Sequence, residues 1–452
     1  MFDSHAHLDF PQFDKDREEV LRRAAEAGVT DILVPGVDVA TSERALLLAE
    51  EHTGICAAVG IHPNSTGDAD EGDWLRIEEL ARSGAVALGE TGLDYYRKTT
   101  PPDVQRKAFR RTLKIAGSLD LPAIIHCRNA DDELISILEE VRPGRGVLHC
   151  FNGNPRLAEV AMSLGLYISV GGPLTYPTAD DLRKAVAGIP TEKMLVETDC
   201  PYLAPQSRRG ERNEPSYLPE IVETLAGLHG CSADDVARTT TVNARRLFLR
   251  DAGDLEGAVA YKIRNSLYLN ITNRCTNNCS FCVRTWSDFV KGHRLWLEHE
   301  PAADEIMSAI GDPAQYDEVV FCGYGEPTTR LAVLLEVGRR LRGKAKRVRL
   351  DTNGHGNIIN DRDITEELAE VLDAVSVSLN AADDETYRNI CAPSFGPSTF
   401  DRVVEFIKLA KERIPDVTAT VVAVPGLDLN ACRSLCDEIG VPLRIRQYHV
   451  VG

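Results

Sequence analysis

Short apolar runs recur along this chain, each followed by a longer stretch in which apolar residues return at helical spacing. These short apolar runs predict strands separated by amphipathic helices. In the first half, eight such runs fall near Met1–His7, Asp31–Pro35, Ile55–Ile61, Ala85–Glu90, Leu121–His126, Gly146–His149, Leu166–Val170 and Met194–Glu197. Asp14–Ala27 and Asp103–Leu119 are examples of the helical stretches between them. Alternation of this kind builds parallel sheets. Eight repeats in about 250 residues is the size of a closed (β/α)8 barrel. The helical segment Ser232–Leu249 would end that unit.

Arg250–Gly257 is polar, glycine-containing and without periodicity, which predicts a linker over residues 251–261. Strand-like runs then resume near Ser266–Ile271, Glu318–Phe321, Arg347–Leu350, Ala374–Ser378, Thr418–Val424 and Leu443–Arg446. Six strands in this length suit an open, partial (β/α)6 barrel better than a closed one. The expected organisation is α/β throughout: a TIM barrel over residues 1–250, the linker, and a partial barrel over residues 262–452. A chain of 452 residues is also too long for one ordinary core.

Composition narrows the class. A 43% hydrophobic and 27% charged content is that of a soluble globular protein. No apolar run approaches the ~20 residues needed to cross a bilayer, so no membrane partner is expected. Met1–His5 has neither a basic nor an apolar leader region. Twelve cysteines without a secretion signal imply free thiols in a reducing compartment, and hence a cytoplasmic protein. The net charge of −18 argues against whole-surface attraction to nucleic acid. It leaves room for a local basic strip, of which Arg208, Arg209 and Arg212 within Pro205–Pro215 are the candidate.

With the strands placed, metal-type residues fall at their C-terminal ends. His5 and His7 close the first strand, at a spacing that points both rings to one face. Glu90 closes the fourth, His126 the fifth and His149 the sixth, and Asp199 follows the eighth. In a parallel barrel these ends ring one mouth, where active sites of such barrels lie. Four histidines and two carboxylates are a mixed N/O set that suits zinc, manganese or similar divalent ions. The words around them are Asp3-Ser4-His5-Ala6-His7-Leu8-Asp9, Val59-Gly60-Ile61-His62-Pro63, Gly89–Tyr96, His126-Cys127-Arg128, His149-Cys150-Phe151 and Glu197–Leu203. In this order they resemble the TatD family of metal-dependent hydrolases and deoxyribonucleases. The resemblance implies two divalent ions (zinc, manganese, magnesium or similar), one on Glu90, His126 and His149, the other on His5, His7 and Asp199, with Glu90 bridging. It implies a nucleic-acid or nucleotide substrate. Glu90 and Asp199 are the catalytic candidates, Asp199 as either a ligand or the base for water. His62 resembles a substrate-phosphate contact, with capping of its own loop as the alternative. Arg128 and Arg212 can hold phosphate oxygens through paired N–H groups, whereas Arg208 and Arg209 read as a solvated loop.

The second half carries Cys275, Cys279 and Cys282 in a C-x3-C-x2-C run on a polar loop after an apolar strand. A structural zinc site wants four ligands, whereas three close cysteines suit a [4Fe–4S] cluster with one iron left open. One β/α unit later, Val319–Phe321 leads into Cys322-Gly323-Tyr324-Gly325-Glu326-Pro327. Together these resemble the radical SAM superfamily. The resemblance implies S-adenosylmethionine on the open iron and an electron donor of flavodoxin or ferredoxin type. It places Gly323, Gly325 and Glu326 at the methionyl amine and Phe281 near the adenine. Asn353, Ser378 and Asn380, at later strand ends, match its ribose and carboxylate contacts. Cys432 and Cys436 read as buried or free thiols in a helix. The expected protein is a bifunctional fusion of a phosphodiester hydrolase and a radical SAM enzyme. A deacylase or lactonase barrel, or one half acting as a non-catalytic docking module, are the alternatives.

Overall fold

The computed structural model describes residues 1–250, 256–285 and 287–448. The chain divides into two compact units, Met1–Asp254 and Leu255–Gly452. Residues 251–255 of the expected linker lie outside the described residues.

Eight strands form the first sheet: β1 (Phe2–Asp3), β2 (Asp31–Pro35), β3 (Ile55–Val59), β4 (Ala87–Asp94), β5 (Ala123–Arg128), β6 (Gly146–Leu148), β7 (Tyr167–Val170) and β8 (Met194–Val196). They follow one another in sequence order, each parallel to the next. Backbone bonds close the ring, from Ser4 N–H to Val196 O (3.0 Å), Asp199 N–H to His5 O (2.8 Å) and His7 N–H to Cys200 O (2.9 Å). The alternation of side chains along a strand explains the two apolar layers. Ile32, Val34, Ile125, Ile168 and Val196 pack outward against the helices. Phe2, Leu33, Ala58, Ala87, Ile124, Val147 and Leu195 point inward and fill the barrel floor. The helix Ala233–Ala244, started by the Ser232 hydroxyl on Asp235 N–H, runs into a wider turn Arg245–Leu249. That turn drives Leu247 and Phe248 into the floor, with the rings of Phe2 and Phe248 6.0 Å apart.

The second unit has a seven-stranded sheet, built from β9 (Ala260–Ile263), β10 (Ser266–Leu269), β13 (Glu318–Phe321), β14 (Val348–Thr352), β15 (Ala374–Ser378), β16 (Asp416–Val422) and β17 (Leu443–Arg446). A small hairpin, β11 (Phe289–Val290) with β12 (His293–Arg294), lies between β10 and β13 in sequence. Six strands run parallel in the order β10-β13-β14-β15-β16-β17, as the pattern predicts. The seventh, β9, is antiparallel to β10 and corrects the linker reading, since it begins at Ala260 inside the expected 251–261 segment. Its short alternation, Ala260-Tyr261-Lys262-Ile263, buries Tyr261 and Ile263 and forms a hairpin with β10. The outer face of the sheet is apolar. The inner face carries Arg349, buried and bonded to both oxygens of Glu318 and to Ser376 (3.0–3.2 Å), with Asp351 beside it.

Candidate functional site: a histidine and carboxylate centre, and a three-cysteine loop

His5 and His7 emerge just past β1 on extended backbone, where Ala6 pairs with Cys200. Their Nε2 atoms are 3.3 Å apart. Glu90 sits within β4, which runs on to Asp94 rather than ending at Glu90 as expected. It still faces the barrel mouth because the register of β4 against β5 shifts between Leu88 and Thr91. Such a bulge re-aims a side chain. Gly89 makes the bulge: its φ is +148°, and a Cβ there would lie 2.7 Å from the carbonyl oxygen of Ile124.

The two carboxylate oxygens of Glu90 serve different histidines. Oε1 lies 2.7 Å from His126 Nδ1, 2.9 Å from His149 Nε2 and 3.5 Å from His62 Nε2. Oε2 lies 3.4 Å from His5 Nε2 and 3.7 Å from His7 Nε2. Asp199 Oδ1 completes that second cluster, 3.8 Å from His5 and 3.7 Å from His7. The six residues expected at the mouth thus come together around one buried carboxylate. His5 and Glu90 are sealed from solvent, while His62, His126 and Asp199 keep 15–16% of their side chains exposed and define the open side.

The electrostatics follow from burial and proximity. Burial alone would raise the Glu90 carboxyl, but His149, His62 and the bonds from His126 and His149 hold it well below its ordinary value. Burial would lower His149, yet Glu90 and Glu197 push it well above the usual imidazole range. His126 is raised against its burial by Asp94 and Glu90. His7 is pushed down to about 3 by burial, helped by His5, and His62 down to about 4 by burial. Burial lifts Asp199 to about 6 in spite of His5 and His149.

The residues fit divalent metal. Buried ring nitrogens and carboxylate oxygens crowd together in two overlapping groups, His5–His7–Glu90 and Glu90–His126–His149, each within 4.8 Å. Outer residues orient them, as is usual for ligating histidines. Glu197 Oε1 is 3.4 Å from His149 Nδ1 and also accepts the Cys150 N–H (2.6 Å). Asp3 accepts from Thr198 N–H (2.9 Å) and Thr198 Oγ1 (2.6 Å), holding the turn that carries Asp199. Asp94 Oδ2 is 3.6 Å from His126 Nε2 and accepts from Asn64 Nδ2 (3.0 Å). Asp3, Asp94 and Glu197 stand within the same sequence motifs, and the sequence alone gives them no role. Their position two to four residues from a ligand was the available signal.

His62 caps its own loop, since Nδ1 accepts the N–H of Asn64 (3.0 Å), while Nε2 lies 3.5 Å from Glu90 Oε1. Arg128 lies at the end of β5 with its guanidinium 3.9 Å from the ring of exposed Tyr96. Arg212 departs from expectation. Its guanidinium is taken by both oxygens of Asp16 (2.8 and 2.6 Å) and the carbonyl of Gln12 (2.6 Å), and it packs over Phe13. Arg208 and Arg209 are exposed, over the rings of Tyr217 and Tyr176.

In the second unit, Cys275, Cys279 and Cys282 lie half-buried, unpaired, on the loop after β10. Burial pushes Cys275 up to about 11 and also raises Cys282, which favours the thiol over the thiolate in the metal-free protein. Cys279 is raised too, first by a bond to Cys391, which the sequence reading did not single out. Backbone bonds pin the loop on both sides of Cys279, from Asn278 N–H to Cys391 O (3.0 Å) and from Ser280 N–H to Ile390 O (2.9 Å). Soft thiolates on a partly exposed loop are the donor set of an iron–sulfur cluster. A Cβ on Gly325 would lie 2.4 Å from Arg274 O, so only glycine lets this turn pack on the cysteine loop. Gly323 fits equally closely against Asn270, at 2.2 Å.

Three expected cofactor contacts have their polar atoms engaged within the protein. Glu326 Oε1 accepts from Thr328 Oγ1 (2.6 Å) and Thr352 Oγ1 (2.8 Å), and Oε2 from Asn353 N–H (2.7 Å). The Asn380 amide bridges Val422 N–H (3.2 Å) and Cys391 Sγ (3.7 Å). The Asn353 amide points to Thr276 and Cys275. Ser378 and Phe281 are half-buried. Cys432 and Cys436 are buried in the helix Leu429–Ile439.

The TatD related DNase family profile matches residues 2–249, and that of the Radical SAM superfamily residues 269–439. The first half is 42% identical over 251 residues to a metal-dependent hydrolase, YabD, of Bacillus subtilis, covering 55% of this chain and 98% of that protein. It is 39% identical over 257 residues to the 3′-5′ ssDNA/RNA exonuclease TatD of Erwinia tasmaniensis, covering 55% of this chain and 99% of that one. Among solved structures it resembles the TatD homologue YJJV of Escherichia coli, with 34% identity, a TM-score of 0.53, and coverage of 55% of this chain and 98% of that one. Among the described residues no helix is long and apolar enough to cross a membrane.

Proposed function

Because this chain belongs to the TatD related DNase family and carries a radical SAM domain after it in sequence, we propose that it is a two-headed enzyme whose first half hydrolyses phosphodiesters of single-stranded nucleic acid. The observation that carries the first half is Glu90, with one oxygen on the His126–His149 pair and the other on the His5–His7 pair. His5, His7 and Asp199 would hold one divalent ion and Glu90, His126 and His149 another, and such ions would supply Lewis-acid polarisation of the phosphodiester.

The chain's own groups do the rest. Asp199, beside the His5–His7 pair on the open side of the mouth, is placed to take a proton from the attacking water. His62 accepts the Asn64 N–H at Nδ1, so its neutral ring carries hydrogen on Nε2 and donates toward a phosphate oxygen at the mouth. Arg128 has no carboxylate partner among the described residues and offers its N–H groups beside the ring of Tyr96. Tyr96 on one side, and Tyr202 near Phe10 on the other, expose rings on which unpaired bases can stack, and Phe10 in turn stacks on the ligand His7. Such stacking reads single strands without needing a basic surface, which reconciles a nuclease with a net charge of −18.

In the second half, Cys275, Cys279 and Cys282 would hold a [4Fe–4S] cluster, which with S-adenosylmethionine and a flavodoxin- or ferredoxin-type donor would supply one-electron reductive chemistry. Gly323 and Gly325 bring the backbone of the turn after β13 against the cysteine loop. Cys275, Cys279 and Cys282 stand as thiols rather than disulfides, in keeping with a reducing, cytoplasmic setting.

The test is one anaerobic preparation assayed twice. With manganese or zinc it should shorten a labelled single-stranded oligonucleotide, and with dithionite it should form 5′-deoxyadenosine from S-adenosylmethionine. Metal-replete protein that leaves oligonucleotides intact but cleaves a lactone or an N-acyl sugar would move the barrel to a different bond.

A further inference from the structure

A buried polar relay runs beneath the loop that carries Cys275. His355 is wholly buried, with Nε2 2.8 Å from Tyr387 Oη and Nδ1 2.8 Å from Thr276 Oγ1. Burial pushes its imidazole down to about 4, so at neutral pH one nitrogen donates and the other accepts. Asn277 Nδ2 joins the same Tyr387 hydroxyl at 3.3 Å. The relay reaches Asn353 through the Thr276 hydroxyl, and the side-chain oxygen of Asn353 separately accepts the backbone N–H of His355 (2.9 Å). That bond decides which way the amide faces. Its nitrogen must turn to the other side, where it has Thr276 Oγ1 at 3.0 Å and Cys275 Sγ at 3.9 Å.

We propose that Asn353 is a donor to the cluster-ligating sulfur of Cys275, raising the reduction potential of the cluster, and that Thr276, His355 and Tyr387 are positioning residues that keep its amide turned to that sulfur. The proposal rests on the radical SAM reading and assigns Asn353 away from the ribose or carboxylate contact that its strand-end position suggests. Hydrogen bonds to ligating sulfurs favour the electron-rich, reduced cluster, and outer groups of this kind set metal-site potentials. A thiol at 3.9 Å is a weak acceptor, and the same sulfur as a thiolate is a stronger one. The two hydrogens of the amide are thereby both used, one on Thr276 and one on Cys275.

The experiment is a potentiometric EPR titration of reconstituted full-length protein, with iron content and S-adenosylmethionine affinity measured on the same samples. Asn353→Ala should load wild-type iron, bind S-adenosylmethionine within about threefold of wild type, and show a more negative midpoint. Asn353→Asp keeps the acceptor for His355 N–H but turns an oxygen to the sulfur, and should move the midpoint further the same way. An unmoved midpoint together with a tenfold or greater loss of S-adenosylmethionine affinity would overturn the proposal and return Asn353 to the cofactor. Tyr387→Phe changes only the far end of the relay and serves if the Asn353 variants fail to load. A smaller negative shift there supports the relay, whereas a lowered melting temperature with an unmoved midpoint refutes it. Wild-type protein that cannot be loaded to about four irons would instead defeat the cluster reading itself.

Discussion

Replacing Glu90 by Gln keeps the shape of the side chain and removes what the centre uses. One oxygen becomes an amide that cannot ligate, and the negative charge is lost. In the native arrangement Oε1 makes two close contacts, 2.7 Å to His126 and 2.9 Å to His149. Those contacts belong to the metal-free state and give way when an ion binds, so what the substitution removes is a charged ligand. At about 1.5–3 kcal/mol for a charge-assisted contact and about 1.36 kcal/mol per factor of ten, metal affinity should fall ~10–10²-fold on the His126–His149 side. The His5–His7 side should weaken as well, because Oε2 is the oxygen nearest both rings. Oligonucleotide hydrolysis at fixed metal should drop by at least ~10³, about 4 kcal/mol of barrier. The assays are metal per protein after gel filtration, calorimetric titration with manganese, and release of label from an oligonucleotide. Glu90→Gln protein that keeps two ions at wild-type affinity and hydrolyses at the wild-type rate would refute the shared-carboxylate geometry.

Metal uptake should depend on pH, because His126 and His149 are raised in the metal-free protein and must give up their protons to bind. Their charged form is favoured below those raised values, so apparent affinity should fall as pH falls, by up to about tenfold per unit for each proton displaced; a pH-independent titration would contradict this. Cys279→Ala should abolish 5′-deoxyadenosine formation while leaving hydrolysis within about twofold of wild type, since its effect is confined to the second unit; an equal loss of nuclease activity would show that the sites are coupled. Phe248→Ala opens a cavity in the barrel floor and should cost about 3–5 kcal/mol, read as a lower urea midpoint for the first unit with an unchanged slope.

Much of this architecture was legible because parallel strands buried on both faces write themselves as short apolar runs. Once the runs were placed, His5, His7, His126 and His149 fell at one end of the barrel without further assumption. What escaped depended on tertiary partners. Arg212 reads as a phosphate clamp until Asp16, distant in sequence, is found holding both of its nitrogens. Asn353, Asn380 and Glu326 bond Cys275, Cys391 and Thr352, partners that arrive from other elements and that no local pattern announces. Cys391 carries no spacing signal, being a single thiol at the end of the helix Asp384–Cys391. Strand β9 was hidden because only its alternate residues are buried and it pairs on one side alone. The end of β4 was misplaced because a bulge lets Glu90 face inward four residues before the strand stops.

The packed floor of the first barrel has a consequence for traffic. Phe2, Leu33, Ile124, Val147 and Leu195 fill the lower lumen, and Leu247 and Phe248 press into it from below. A polymer cannot be drawn through such a barrel, as it can through a ring with an open bore. The reacting end has to dip into the mouth, and the cleaved piece has to back out past the segment still to be cut. Access by one doorway favours attack at a free terminus over attack along a continuous strand, since a terminus needs only to enter and not to bend double. Circular single strands should therefore survive treatment that degrades linear ones of the same sequence.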